Sequence, residues 1–126
     1  MNYSKRHIWI EAETWPIGSW DCNDESTDVI VVFPDRSKWI ASCFTYKNIE
    51  TLRQKNIKTG ECMNGSYFWS SDMLLIDAIR RERIEELVDH LIKQDNFQKV
   101  FNRYPDVEAE EDENYPVGFF ITNGTR

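Results

Sequence analysis

The residues of this chain that could act as nucleophiles or metal ligands are few and scattered. They are two histidines, His7 and His90, and three cysteines, Cys22, Cys43 and Cys62. The paired spacings that hold zinc, CxxC, HxxxH and HExxH, do not occur in the sequence. A zinc site would need ligands from distant segments, so we predict no metal site.

Other catalytic signatures are missing from the sequence as well. It has no GxGxxG or GxxxxGK[ST] loop to bind phosphate, and no GxSxG turn to expose a serine nucleophile. Glu11 and Glu13 would share one side of a predicted strand, but exposed strand carboxylates explain this pair without glycosidase chemistry. His90 falls on the polar side of a predicted helix. We therefore predict no catalytic residue, no bound cofactor and no enzymatic activity.

Charge is sorted along the chain into three blocks. Residues 21–35, 36–60 and 106–113 carry formal charges of −5, +5 and −6, and the whole chain carries −7. Such segregation is typical of a surface that steers a partner. The negative total disfavours direct binding of nucleic acid or an anionic membrane. The basic block is interpreted as a solvated helix face that complements the acidic loops, in preference to a nucleic-acid surface.

Two tryptophans lie on a loop that runs directly into the first acidic block. Large aromatic side chains fringed by charge are typical of protein-binding hot spots. The candidate partner-binding residues are Trp15, Trp20, Asp21, Asp24, Glu25 and Asp28. An alternative interpretation is that both tryptophans fold back as a lid on the core.

The leading hypothesis is a non-enzymatic binding protein whose acidic, aromatic surface covers a basic protein partner. The alternative is a small-molecule-binding or enzymatic domain. Its pocket would lie between the sheet and the predicted 80–94 helix, lined by Trp39, Trp69 and other aromatic residues.

Hydrophobic patterning predicts the elements that must position these residues. The first half is expected to hold a strand over 7–13, a loop over 14–28, a strand over 29–33, a turn over 34–37 and a return strand over 38–44. Thr45 is expected to cap a helix that begins at Tyr46. The second half is expected to hold one or two strands within 67–76, a helix over 80–94, a helical turn through 97–101 and a candidate last strand over 117–122.

These elements predict a single α+β domain over residues 1–126. Its sheet would be mainly antiparallel, with four to five strands and two main helices on one face. Residues 106–114 are expected to form an acidic loop or linker. The sequence has no apolar run long enough for a signal peptide or a membrane span, and its odd number of cysteines favours reduced thiols, so a cytoplasmic location is expected.

One resemblance covers roughly residues 28–101. It rests on the stretch from Phe44 to Asn56, on the stretch from Gly60 to Met73 and on the apolar helix from Ile84 to Ile92. In these segments the chain resembles small acidic bacterial proteins of the toxin-immunity kind. The resemblance implies a cytosolic protein that binds and blocks a toxin domain, and it carries over no active-site residue.

Overall fold

The computed structural model describes residues 5–108 and 114–121. The strands are β1 (His7–Ile10), β2 (Ser26–Val32), β3 (Lys38–Thr45), β4 (Met73–Ile76) and β5 (Asn102–Tyr104). The helices are α1 (Tyr46–Thr59), α2 (Glu61–Gly65), α3 (Arg81–Lys93) and α4 (Phe97–Val100), and a 3₁₀ turn (Glu11–Thr14) follows β1. This arrangement confirms the predicted α+β class.

The β2–β3 hairpin is the centre of the sheet. Its turn closes because the Arg36 N–H donates to the Phe33 carbonyl at 2.9 Å and the Asp35 carboxylate accepts from the Ser37 N–H at 2.9 Å. β1 pairs antiparallel with β2, and both β4 and β5 pair with β3. Only the β3–β4 pair is parallel, because α1 carries the chain back across before β4 begins.

One face of the sheet holds the main core. Side chains that alternate along the strands point to this face, as period-two geometry requires. They include Val29 and Val31 of β2, both 0% exposed, and they pack against Ile84 and Val88 of α3. The predicted 80–94 helix and its apolar stripe are therefore confirmed.

The two long helices meet the sheet differently. α3 covers the core face, whereas the residues that α1 buries are the polar Asn48 and Asn56. Ile49 of α1 lines a groove with Met73 and Leu75, whose side chains point to the face opposite the core. The two main helices therefore do not share one face as predicted: α3 covers the core face, and α1 lies beside β4 at the opposite one.

The opposite face is covered at one end by the C-terminal segment. Val107 and Phe119 pack against Val32 there, and Tyr115 stacks on Phe119. The stretch 117–121 is not a strand as predicted, because Gly118 takes φ 78° and the chain turns. Residue 122, which ended that candidate strand, lies outside the described residues.

Three further boundaries differ from the predictions. β2 begins at Ser26 instead of residue 29, so Asp28 lies on the strand and not in the preceding loop. β1 ends at Ile10 because the Ala12 N–H turns to donate to the buried Thr27 hydroxyl at 2.9 Å. The aromatic run 67–69 is not a strand, and 73–76 alone forms β4. The acidic run 106–113 falls largely on residues 109–113, outside the described part of the chain. Within that part, no helix has both the length and the apolar character needed to cross a membrane.

Candidate binding surface around the tryptophan loop

The loop between β1 and β2 carries a tight turn at its tip. The Ser19 N–H donates to the Pro16 carbonyl at 3.1 Å, and Gly18 at the third position takes φ 80°. A positive φ at that position is the mark of a type II turn, in which glycine is favoured. Ile17 lies at the apex and is fully exposed to solvent.

Trp15 and Trp20 form the base of this loop. Their rings meet edge to face at 6.0 Å, and both are partly buried against the main core. They line an open cleft of about 520 Å³ together with Glu13, Ile17 and Cys22. The two tryptophans therefore do pack on the core, as the lid interpretation expects, but they also present surface to an open cleft.

Asp21 and Asp24 continue from the loop towards α1. The Asp24 N–H donates to the Asp21 carbonyl at 2.9 Å, which closes a second turn. The Asp24 carboxylate accepts from the Asn48 side-chain amide at 3.0 Å and from the Thr51 hydroxyl at 2.8 Å. These hydrogen bonds hold the pKa of Asp24 below its ordinary value, and the bond from Asn48 has the largest effect. The positive charge of nearby Lys47 acts in the same direction.

Glu25 ends the loop, and Asp28 lies on the following strand, β2. The Glu25 carbonyl accepts from the Thr45 N–H at 3.0 Å, so the loop is fastened to the residue that caps α1. The Asp28 carboxylate accepts from the Ser42 hydroxyl at 2.8 Å across the strand pair. The structure thus places Asp21, Asp24 and Glu25 beside the start of α1 and Asp28 on the sheet.

The four carboxylates differ from the acids of α3 in what they contact. Within the described residues, none of the four lies within 4 Å of a cationic group. Their side-chain hydrogen bonds come from neutral donors, which leave the negative charge in place. By contrast, Arg81 binds Glu13 at 2.8 Å and Glu85 at 2.9 Å, and Arg83 binds Asp77 at 2.6 Å. Negative charge is therefore uncompensated near the tryptophan loop and largely compensated along α3.

The reactive side chains do not form one site. Cys43 is buried in β3, and burial followed by the charge of Asp28 raises its pKa to about 12, so it is a neutral thiol at pH 7. Burial and the nearby Arg81 lower the pKa of His7, whose ring packs edge-on against Tyr115 at 4.7 Å. No cluster of three metal-ligating side chains occurs in residues 5–108 and 114–121.

Core side chains fill most of the space between the sheet and α3, and an open cleft of about 370 Å³ remains at the end of β4, lined by Ile76, Asp77, Arg83, Glu86, Leu87 and His90. Trp39 is buried among the core side chains and packs edge to face on Phe97 at 5.6 Å. Trp69 is 71% exposed and belongs to a different part of the surface. The two tryptophans named for the alternative pocket are therefore not neighbours in one cavity.

A second surface was not predicted from the sequence. It is a groove of about 280 Å³ between α1 and β4, lined by Phe68, Met73 and the exposed Tyr67 and Leu75. The pair Asn64-Gly65 predicted only a loop here. The one available signal was the density of large apolar residues between Met63 and Leu75, which is higher than a solvated loop needs.

No family model matches the chain, and no curated protein or solved structure matches it either.

Proposed function

We propose that this protein is a non-enzymatic binding protein that covers a basic protein partner with its tryptophan loop and the adjoining acidic residues 21–28. The observation that carries the proposal is the set of four carboxylates with no cationic group within 4 Å among the described residues, three of them in the loop that also carries the fully exposed Ile17. An apolar anchor beside uncompensated charge is the composition of a protein interface.

The chemistry of the surface supports a cationic partner. Lysine or arginine side chains of the partner would pair with the carboxylates and could also lie over the tryptophan rings. The loop is held by hydrogen bonds at its tip, through Ser19, and at its C-terminal end, through Thr45, so little ordering is needed on binding. The resemblance to toxin-immunity proteins supports a toxin domain as the partner and blocking of that domain as the role.

A protein partner is better supported than a small molecule. The cleft at the tryptophan loop is wide and open, whereas small-molecule sites enclose most of their ligand. The buried Cys43 is a neutral thiol at pH 7, which argues against a cysteine nucleophile in β3.

The test begins with capture of partners from the native host by the full chain, at low and at high salt. The partner that counts is one with a basic surface whose retention falls as salt rises. Its binding kinetics are then compared for the wild type and a variant in which Asp21, Asp24, Glu25 and Asp28 are changed to the matching amides. We expect slower association and a flatter salt dependence, because charges at an interface rim act on the on-rate.

A matched control separates local from global charge. Neutralising Glu82, Glu86, Asp89 and Asp95, on and just after α3, changes the net charge equally and should leave association nearly unchanged. Trp20→Ala should instead raise the off-rate about tenfold or more, since a buried aromatic anchor is worth about 2 kcal/mol. Equal slowing by the two neutralised variants would place the interface elsewhere and refute the proposal.

A further inference from the structure

The chain after α1 makes a left-handed turn built from residues that disfavour it. Gly60 ends α1 with φ 85°, and Cys62, Met63 and Asn64 follow with φ between 52° and 58°. This conformation costs Cys62 and Met63 about 1–2 kcal/mol each, whereas asparagine tolerates it. Such strain persists only where surrounding contacts enforce it, and it is concentrated at functional sites.

The close contact of Gly65 with α1 holds this left-handed turn in place. Gly65 takes φ 78° and lies so close to α1 that a Cβ atom on it would be 2.8 Å from the Arg53 carbonyl oxygen and 2.8 Å from Ile57 Cγ1. The backbone of α2 is therefore seated directly on the last turns of α1. Met63, within this turn, is 74% exposed.

The groove itself is apolar and has one charged side chain. Among the described residues its lining includes Ile49, Tyr67, Phe68, Met73 and Leu75, and the single charged residue is Arg53, which forms a solvent-exposed ion pair with Glu50 at 3.3 Å. Phe68 packs edge to face on Phe44 at 5.6 Å, which fixes the floor of the groove. Tyr67 and Leu75 are the exposed apolar side chains of this lining, and exposed apolar surface of this kind is typical of binding sites.

β4 forms one side of this groove and is an edge strand. The Ser42 N–H of β3 donates to the Asp72 carbonyl at 2.7 Å, which sets the phase of the parallel ladder. In that phase the N–H and C=O groups of Met73 and Leu75 point away from β3, and in the described part of the chain they make no backbone hydrogen bond. An added extended segment could therefore pair with these two residues.

The positive charge of α1 indicates which kind of segment could be added to β4. α1 carries Lys47, Arg53, Lys55 and Lys58 against a single acid, Glu50. A second copy of this chain would bring two such helices together, and like charges would oppose the pairing. We propose that an extended segment of a protein partner, with alternating apolar residues and carboxylates, adds as a strand to β4. Its apolar side chains enter the groove, and a carboxylate pairs with Arg53.

Nucleic acid is the competing occupant, and it fits less well. The aromatic side chains of the groove would suit base stacking, but only Arg53 lines the groove as a phosphate partner. Lys47, Lys55 and Lys58 line a separate cleft on another side of α1, together with Glu50. A strand of phosphates could not follow these charges and the aromatic side chains of the groove at the same time.

The test is selection from a library of random seven-residue peptides displayed on phage, with the immobilised full chain as the target. We expect enrichment of peptides that alternate apolar residues with Asp or Glu. A synthetic copy of the most enriched peptide should bind Arg53→Glu about tenfold more weakly than the wild type. Lys58→Glu makes the same charge change on the other side of α1 and should alter binding far less.

Strand addition has its own signature. The amide protons of Met73 and Leu75 should gain protection from hydrogen exchange when the peptide binds. Trp20→Ala should leave peptide binding unchanged, which separates this surface from the tryptophan loop. The proposal is overturned by no enrichment, by enrichment of basic peptides, by equal losses from the two charge reversals, or by a single-stranded oligonucleotide that competes for the groove.

Discussion

Gly65→Ala tests the tightest glycine contact in the described part of the chain. The added Cβ would lie 2.8 Å from the Arg53 carbonyl oxygen and 3.2 Å from the Ile57 nitrogen, and these are backbone atoms that cannot swing aside. The residue also takes φ 78°, a conformation that alanine disfavours. The substitution therefore combines backbone strain with a steric overlap between α2 and α1.

The two contributions can be estimated separately. A left-handed conformation costs a non-glycine residue about 1–2 kcal/mol. Overpacking of a tight contact adds about 1–3 kcal/mol. We expect Gly65→Ala to lower the free energy of unfolding by about 2–5 kcal/mol. Gly18→Ala is the matched control, because Gly18 takes φ 80° with no atom within 4 Å of the added Cβ. It should cost only the backbone part, about 1–2 kcal/mol.

Urea unfolding measures both values. The transition is followed by tryptophan fluorescence and by far-ultraviolet circular dichroism, and the dependence on denaturant should be the same for the three proteins. The difference between the two variants is the cost of the contact alone. Equal destabilisation by Gly65→Ala and Gly18→Ala would refute the close seating of α2 on α1, and with it the account of how the turn is held.

Three further substitutions or measurements test other parts of the structure. Leu91→Ala should lower the free energy of unfolding by about 2–5 kcal/mol because Leu91 is buried against the core, whereas His90→Ala, on the exposed side of α3, should cost under about 0.5 kcal/mol; equal losses would contradict the assigned helix face. A thiol reagent at neutral pH should modify Cys22 and Cys62 of the native protein and reach Cys43 only after unfolding. The Cys43 thiol is buried and its pKa is raised to about 12. Rapid reaction of all three native thiols would contradict this prediction. The Arg83 hydrogen bonds lower the pKa of Asp77 from 3.8 to about 2. The stabilisation they give is therefore complete above pH 3.8 and is lost as the pH falls through about 2. Chemical denaturation should find Asp77→Asn less stable than the wild type at pH 7 and nearly equal to it at about pH 2.

Periodicity predicted the elements that bury an apolar face. The hairpin, α3 and the capping of α1 by Thr45 follow from local patterns, and the structure has all three. β5 was missed because all three of its residues are polar or exposed, and it pairs only with the end of β3. A strand without an apolar face leaves no period-two signal.

The predicted site residues illustrate a second limit of the sequence. Trp15 and Trp20 share one cleft because they flank a local turn, and their short separation in the sequence was enough to place them on the same loop. Asp24 binds Asn48 and Thr51 across more than twenty residues of chain, and no local pattern carries such a contact. The groove at β4 was missed for the same reason, since its sides come from separate elements and its lining includes Gly65 of a left-handed turn that residue propensities argue against.

That turn sets stability and recognition against each other at one position. Met63 holds φ 52°, where glycine or asparagine would relax the backbone. Either replacement would also remove an exposed thioether from the turn whose Gly65 lines the groove. Selection of variants for heat resistance alone would therefore tend to discard this side chain. A thermostable descendant of this protein would be a poor guide to what its ancestor bound.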